Sequence, residues 1–250
     1  MDHALKELIN EISSASGAPA CRVIVDPQPA GGGWNMAVDE ALLESAVGGG
    51  RCTVRWYRWE RATLSLGYFQ SRDEMLSCRR LTGLPVVRRL SGGGAIVHHH
   101  ELTYSCTVPA AHALSRNLHG LYTAVHESVI KVLREFGFSS CLRGNSLPGR
   151  RGEFLCFGRG DDFDVIMGGC KVLGSAQRRR KGAVLQHGSL ILRRSEWVPE
   201  FPGVFDCGER AISETDLLER LSAEMGALFS TRWERCSISG REHDRAARDR

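Results

Sequence analysis

The 250-residue chain has little that would place it in a membrane or a secretory pathway. No apolar run approaches the roughly 18 residues that suggest a transmembrane helix. The start, Met1-Asp2-His3-Ala4-Leu5-Lys6-Glu7, mixes charges where a secretory signal has a basic and then an apolar stretch, and these two absences together predict a cytoplasmic protein with no membrane partner. No C-x-x-C pair exists among the nine cysteines, whose closest members, Cys156 and Cys170, are fourteen positions apart. That spacing argues against zinc fingers and dithiol redox chemistry and predicts mostly reduced, buried thiols. The helix-opening GKS/T of a P-loop and the G-x-G-x-x-G of a dinucleotide fold are both missing. A wide basic stripe with interleaved aromatics is missing too, which argues against a nucleic-acid partner.

What is present is an ordinary globular composition, 42% hydrophobic and 25% charged, in a length that fits one α/β domain. The centre of the pattern is Asp164–Leu192. It predicts a buried strand, a glycine turn presenting Lys171, a second short strand, a basic loop over Arg178–Lys181 and a third strand through Leu190 and Leu192. Lys171 lies between Gly168-Gly169 and Gly174-Ser175, where backbone without a Cβ lets a ligand approach closely. The basic loop is either a solvated surface or a docking patch for an acidic protein or a phosphate-bearing arm.

Upstream, Trp34, Val38, Ala41 and Leu42 share a helix face that ends at Gly48-Gly49-Gly50. Alternation over Cys52–Tyr57 and Ala62–Leu66 suggests a hairpin, and Leu84–Arg89 a further strand. Leu102, Tyr104, Cys106 and Val108 alternate with Thr103, Ser105 and Thr107 as in a half-buried strand. Between these strands, Gly92-Gly93-Gly94 follows Arg88-Arg89 and precedes His98. It is either a hairpin turn or a loop whose N–H groups meet an anionic or carbonyl oxygen while an arginine neutralises charge. Residues 115–136 read as an amphipathic helix, 141–153 as a mobile loop over a site, and Ser213-Glu214-Thr215-Asp216 as a helix start. Residues 1–24 are expected to form an N-terminal extension, 25–235 the catalytic domain, and 236–250 a charged, disordered tail. His98-His99-His100 are adjacent and His112, His119 and His126 fall seven apart, which invites a metal, but no nearby cysteine or paired acid completes a ligand set and adjacent strand residues point to opposite faces, so no metal site is expected.

The segments RRLSGGGAIVHHHELTYS (88–105) and GGCKVLGSAQRRRKGAVLQHGSLIL (168–192), with WNMAVDEALL (34–43) and ATLSLGYFQ (62–70), resemble the lipoate-protein ligase and octanoyltransferase family, related to biotin protein ligase. The resemblance implies an α/β (α+β) fold, a single domain with a mixed, largely antiparallel sheet flanked by helices. The phrase Leu155-Cys156-Phe157 followed by a strand and G-x-K-V-x-G-S-A-Q is most similar to the cysteine-dependent octanoyltransferases. It implies Cys156 as acyl-thioester nucleophile and Lys171 as the lysine favouring the thiolate, since a free thiol with a pKa near 8.5 is mostly protonated at neutral pH. Arg89, Ser91, Gly92, Gly93, Gly94, His98, Gly174, Ser175 and Ala176 are the substrate-binding positions so implied. The reaction implied is ping-pong transfer of octanoyl from acyl carrier protein to a lysine of lipoyl domains of 2-oxoacid dehydrogenases or the glycine cleavage H protein, with no cofactor. A ligase using ATP and Mg²⁺, an amidotransferase and a non-catalytic module on the same fold are the alternatives. The Ser91–Ala95 sequence is closer to ligases, and the aspartate that the family often has after the first histidine is replaced by His99. Without the resemblance, Cys156 reads as an inert core thiol.

Overall fold

The computed structural model describes residues 3, 7, 9, 12, 19–73, 78–144, 154–208, 210 and 212–249. Most of residues 1–18 and the larger part of the expected mobile loop, 145–153, lie outside the described residues. An eight-stranded sheet runs in the order β11-β1-β2-β6-β10-β9-β8-β7. Its strands are β1 (Cys21–Val25), β2 (Thr53–Tyr57), β6 (Glu101–Val108), β7 (Ser140–Leu142), β8 (Val165–Met167), β9 (Cys170–Arg180), β10 (Ala183–Ile191) and β11 (Trp233–Arg235). Only the β11–β1 and β1–β2 pairings are parallel. A second sheet holds β4 (Val86–Arg88), β3 (Thr63–Leu66) and β5 (Ile96–His98) in that order. This is the mixed, largely antiparallel arrangement expected. Among the described residues, no helix is long and apolar enough to cross a membrane.

Helices cover both faces of the large sheet. On one, α2 (Leu118–Glu135), the one-turn α3 (Val204–Cys207) and α4 (Glu214–Phe229) bury Leu121, Val125, Val129, Val204, Leu217 and Leu221 against Val54, Tyr104 and Leu190. On the other, α1 (Gly32–Val47) packs Leu43 and Ala46 on Ala183 and Leu185. Sandwiched between them, β6 is buried along its whole length, not half of it. Its polar residues survive burial because they are hydrogen bonded: Thr103 Oγ1 accepts from Trp59 Nε1 at 2.8 Å, and Ser105 Oγ donates to Asp39 at 2.8 Å.

Three further expectations change. β2 and β3 do not form a hairpin: β2 is fully buried and pairs on both edges, with β1 and β6. β3 leaves for the smaller sheet, where Leu64 and Leu66 join Leu81, Ala95 and Leu155 in a separate core. The basic run is likewise not a loop. Arg178–Arg180 prolong β9, and only Lys181 and Gly182, with φ of 48° and 85°, make the tight turn into β10, the paired positive φ values that a two-residue hairpin needs. Arg180 is taken up by Glu40 and Glu44 of α1.

The third change is at the carboxyl end, expected to be disordered, where α5 (Gly240–Arg248) forms instead. Ser239 and Glu242 make a capping box, and the Arg22 guanidinium donates to both Glu242 oxygens, at 2.6 and 2.8 Å. That pair ties α5 to β1, which is paired with β2 and β11 in the sheet, and the boundary expected after residue 24 falls inside this strand.

Candidate active site

The site is assembled where the edge of the large sheet meets the small one. Gly168 and Gly169, at φ 56° and 78°, turn β8 into β9, and Lys171 follows opposite Ile166 beside a register irregularity. Its side chain folds back over Gly174, where a Cβ would stand 2.4 Å from Lys171 Cε. Only glycine leaves that path open. So guided, the Lys171 ammonium reaches Asp164 at 2.8 Å, the Cys156 carbonyl at 3.3 Å and the Cys156 Sγ at 3.7 Å.

Cys156 opens a one-turn 3₁₀ segment, Cys156–Gly158. Its backbone is joined to the end of the glycine loop: Cys156 N–H donates to the Ala95 carbonyl at 2.7 Å, and Ala95 N–H to Phe154 at 3.0 Å. Gly94 completes the contact, since a Cβ there would stand 2.9 Å from Cys156 N and 3.0 Å from its Cα. Gly94→Ala is therefore expected to push Cys156 away from Lys171, lowering activity by about tenfold or more, the sensitivity of a positioned reacting group. Steady-state kinetics with an unchanged melting temperature would check it, and an activity within twofold of wild type would refute it.

Beneath the loop lies Arg89, 3% exposed. It donates to Ser65 O and Oγ at 2.9 and 2.7 Å and to the Gly92 and Gly94 carbonyls at 3.1 and 2.8 Å. With the carbonyls drawn inward, the N–H groups of Gly92, Gly93 and Gly94 have no protein acceptor among the described residues. The loop is not a hairpin turn, because β3 stands between β4 and β5. Burial pushes the Arg89 guanidinium below its ordinary value, against the opposing pull of Cys156, yet arginine starts so high that the group keeps its charge.

Electrostatics around Lys171 run in two directions. Burial alone would lower the ammonium, but the neighbouring Cys156 sulfur and Asp164 carboxylate outweigh it and hold Lys171 above its usual value. Burial also raises Asp164 against the pull of Lys171. The 2.8 Å contact is that of an ion pair, and both groups are taken as charged.

A buried chain of hydrogen bonds backs the loop. Ser91 Oγ meets His187 Nε2 at 2.5 Å, and His187 Nδ1 meets Asp39 at 3.3 Å. Asp39 also accepts from Arg55 at 2.9 Å and Tyr57 at 3.0 Å. Burial raises the Asp39 carboxyl, but His187, Arg55 and Ser105 prevail and hold it below the ordinary carboxylate value. Ser175 is fixed by Tyr104 at 2.7 Å and by His126 Nε2 at 2.6 Å. Burial brings the His126 imidazole down to about 4, so it is neutral near pH 7 and accepts the Ser175 proton.

Of the residues picked out in the sequence, Cys156, Lys171, Gly92–Gly94, Ser175 and Ala176 line one cleft of about 340 Å³. It shares Gly93, Cys156, Ser175 and Ala176 with a smaller cavity of about 30 Å³ reaching His98 and Met36. Arg89 and Ser91 support the loop from below, and Gly174 makes room for Lys171. His98 is buried under the cavity, stacked on Trp59 at 3.9 Å and bonded to Ser65 and Glu101, each at 2.6 Å. Asp164, Asp39, His187 and Ser65 carry no role in the sequence reading, although each lies inside a segment quoted there, and His126 enters it only among the histidines set aside as metal ligands. Cys170 lies against Cys207, not Cys156.

Residues 32–198, two-thirds of the chain, match the lipoyl protein ligase A/B catalytic domain. The chain belongs to that family. It is 36% identical over 169 residues, 64% of this chain, to an enzyme named octanoyltransferase LipM from Lysinibacillus sphaericus. It spans about three-fifths (61%) of the length of that relative. To octanoyltransferase LipM from an Exiguobacterium species it is 35% identical over 79% of each chain. A bipartite lipoate protein ligase from Thermoplasma acidophilum superposes over 92% of this chain and 91% of that one, with a TM-score of 0.70 at 21% identity, a likeness of fold.

Proposed function

We propose that this member of the family is an octanoyltransferase of protein lipoylation, acting in the cytoplasm and working through a thioester on Cys156. The observation that carries the reading is the Cys156 Sγ held 3.7 Å from a buried, charged Lys171, at the rim of a loop whose three glycine N–H groups have no acceptor among the described residues. In the first half-reaction the Cys156 thiolate attacks the octanoyl thioester of acyl carrier protein. The carbonyl oxygen gains charge facing Gly92–Gly94, and the tetrahedral adduct expels the pantetheine thiolate. In the second, a neutral lysine amine of a lipoyl domain attacks the Cys156 thioester. Cys156 leaves as thiolate beside Lys171, and the amide nitrogen gives up its proton to solvent. The reaction needs no ATP, because the thioester already carries the activation.

The 30 Å³ cavity holds no more than a water-sized group, so an eight-carbon tail lies along the larger cleft or widens the cavity toward Met36 and Ile96. Docking is favoured on the glycine-loop flank. There Arg178 lies over the exposed Tyr68 ring, and Phe69, 85% exposed, borders Gly92. Such a face suits an acidic carrier domain.

The test is intact mass after mixing the protein with octanoyl carrier protein in the absence of ATP. A hydroxylamine-labile octanoyl adduct, passed on to a lipoyl domain, is expected. Acceptor modification only when ATP, Mg²⁺ and free acid are supplied would overturn the reading in favour of a ligase.

A further inference from the structure

The histidine run at 98–100 has no part in the proposed reaction beyond His98, yet the structure completes it. His98 ends β5, and His99 and His100 follow in a bend, so strand alternation no longer separates them. Their rings stack, with centroids 3.6 Å apart and planes at 28°. The missing acid comes from the loop after β10: Glu196 Oε2 lies 3.4 Å from His99 Nδ1 and 4.0 Å from His100 Nε2. One ligand atom from each of the three lies within 4.8 Å of the others.

We propose that His99, His100 and Glu196 form a binding site for a divalent transition-metal ion of the zinc type. Two imidazoles and one carboxylate are a donor set that zinc accepts, with water completing the shell. Bonds of about 2.0–2.1 Å at tetrahedral angles place ligand atoms about 3.4 Å apart, the spacing already present between His99 and Glu196. The stacked rings must swing apart for both to point at one ion. His100, whose side chain is 46% exposed, and Glu196, at 69%, have the room to do so.

The two segments that carry the ligands are fastened before any ion arrives. Leu192 and Arg193 N–H both donate to the His100 carbonyl, at 2.9 and 3.1 Å. Ser195 Oγ accepts from Trp197 N–H at 3.2 Å and meets His99 Nδ1 at 3.1 Å, a contact that Nδ1 gives up to the ion. The nearby cations Arg58 and Arg193 are engaged by Glu214, which reduces their repulsion of an incoming ion. An ion here braces the β5–β6 turn against the end of β10. Those strands supply His98 and His187 to the cavity, so the ion has a bracing role and takes no part in the chemistry.

The experiment uses full-length protein without a histidine tag, stripped with chelator and dialysed against Zn²⁺ or Co²⁺, with bound metal measured by atomic emission. One ion per chain is expected, with tenfold or weaker binding in His100→Ala and in Glu196→Gln, each of which exposure predicts will fold normally by circular dichroism. A tetrahedral Co²⁺ absorption without a thiolate charge-transfer band is expected as well. Undiminished binding in His99→Ala/His100→Ala would place the ion elsewhere on the chain and overturn the proposal. So would the absence of bound metal at about 100 µM.

Discussion

Cys156→Ser is expected to abolish the octanoyl adduct and to lower acyl transfer by about a thousandfold or more, because a serine hydroxyl lacks the thiolate's nucleophilicity near neutral pH. The exchange changes one atom. It keeps the backbone bond to the Ala95 carbonyl and the van der Waals contact with Gly94, so the melting temperature is expected to move by less than about 2 °C. Carrier protein and lipoyl domain should still bind, since neither depends on the sulfur. Loss of turnover with retained binding therefore separates a nucleophile from a packing residue. A variant that keeps more than a tenth of wild-type transfer would show that octanoyl passes directly between carriers, and would demote Cys156 to a wall of the cleft.

How far the sequence could foresee this arrangement depended on distance along the chain. Lys171 and its glycines were legible because one strand–turn–strand unit contains them all, and glycines at 168, 169 and 174 have few other uses so close to a lysine. The position of Cys156 was visible only through resemblance, since nine thiols share the chain and nothing local marks the one joined to Ala95. The supporting groups were hidden for a different reason. Asp39 sits on a helix whose apolar face explains the helix by itself, and Ser65 on a strand that alternates acceptably without it. Their roles appear only when α1, β3 and β10 converge, a consequence of pairing across more than a hundred residues.

The same convergence explains the errors. Local alternation in 52–66 is equally compatible with a hairpin and with two strands in different sheets. What decides is that β2 has both edges taken by β1 and β6, information held far away in sequence. The basic run at 178–180 has the composition of a loop, but Glu40 and Glu44 of α1 neutralise Arg180 and let β9 continue. In the tail, the same compensation operates through Arg22 and Glu242. A charge cluster is read as solvated when its partners are distant, and long-range ion pairs are what pattern reading misses.

Lys171→Met tests the other half of the pair. Methionine keeps most of the aliphatic length over Gly174, so shape is largely retained while the charge is lost. Two costs follow. Asp164 is left buried without its counter-ion, a change expected to destabilise the fold by about 3 kcal/mol. It can also be relieved by Asp164→Asn, so the double variant should recover stability but not activity. The sulfur, meanwhile, loses the cation beside it both when it attacks and when it leaves, which is expected to lower transfer by about a hundredfold to a thousandfold. The sign of the pH effect follows from Lys171 standing above its ordinary value in the folded protein. The wild-type ammonium is present throughout the neutral range, and its contribution to stability is complete below the unfolded value and lost only as pH rises through the folded one. The rise of rate with pH should therefore move alkaline in Lys171→Met and in the double variant, while Asp164→Asn alone, which keeps the ammonium, should not show that displacement. An unchanged pH profile in Lys171→Met, with activity lost only in proportion to unfolded protein, would mean that Lys171 holds Asp164 in place and does nothing for Cys156.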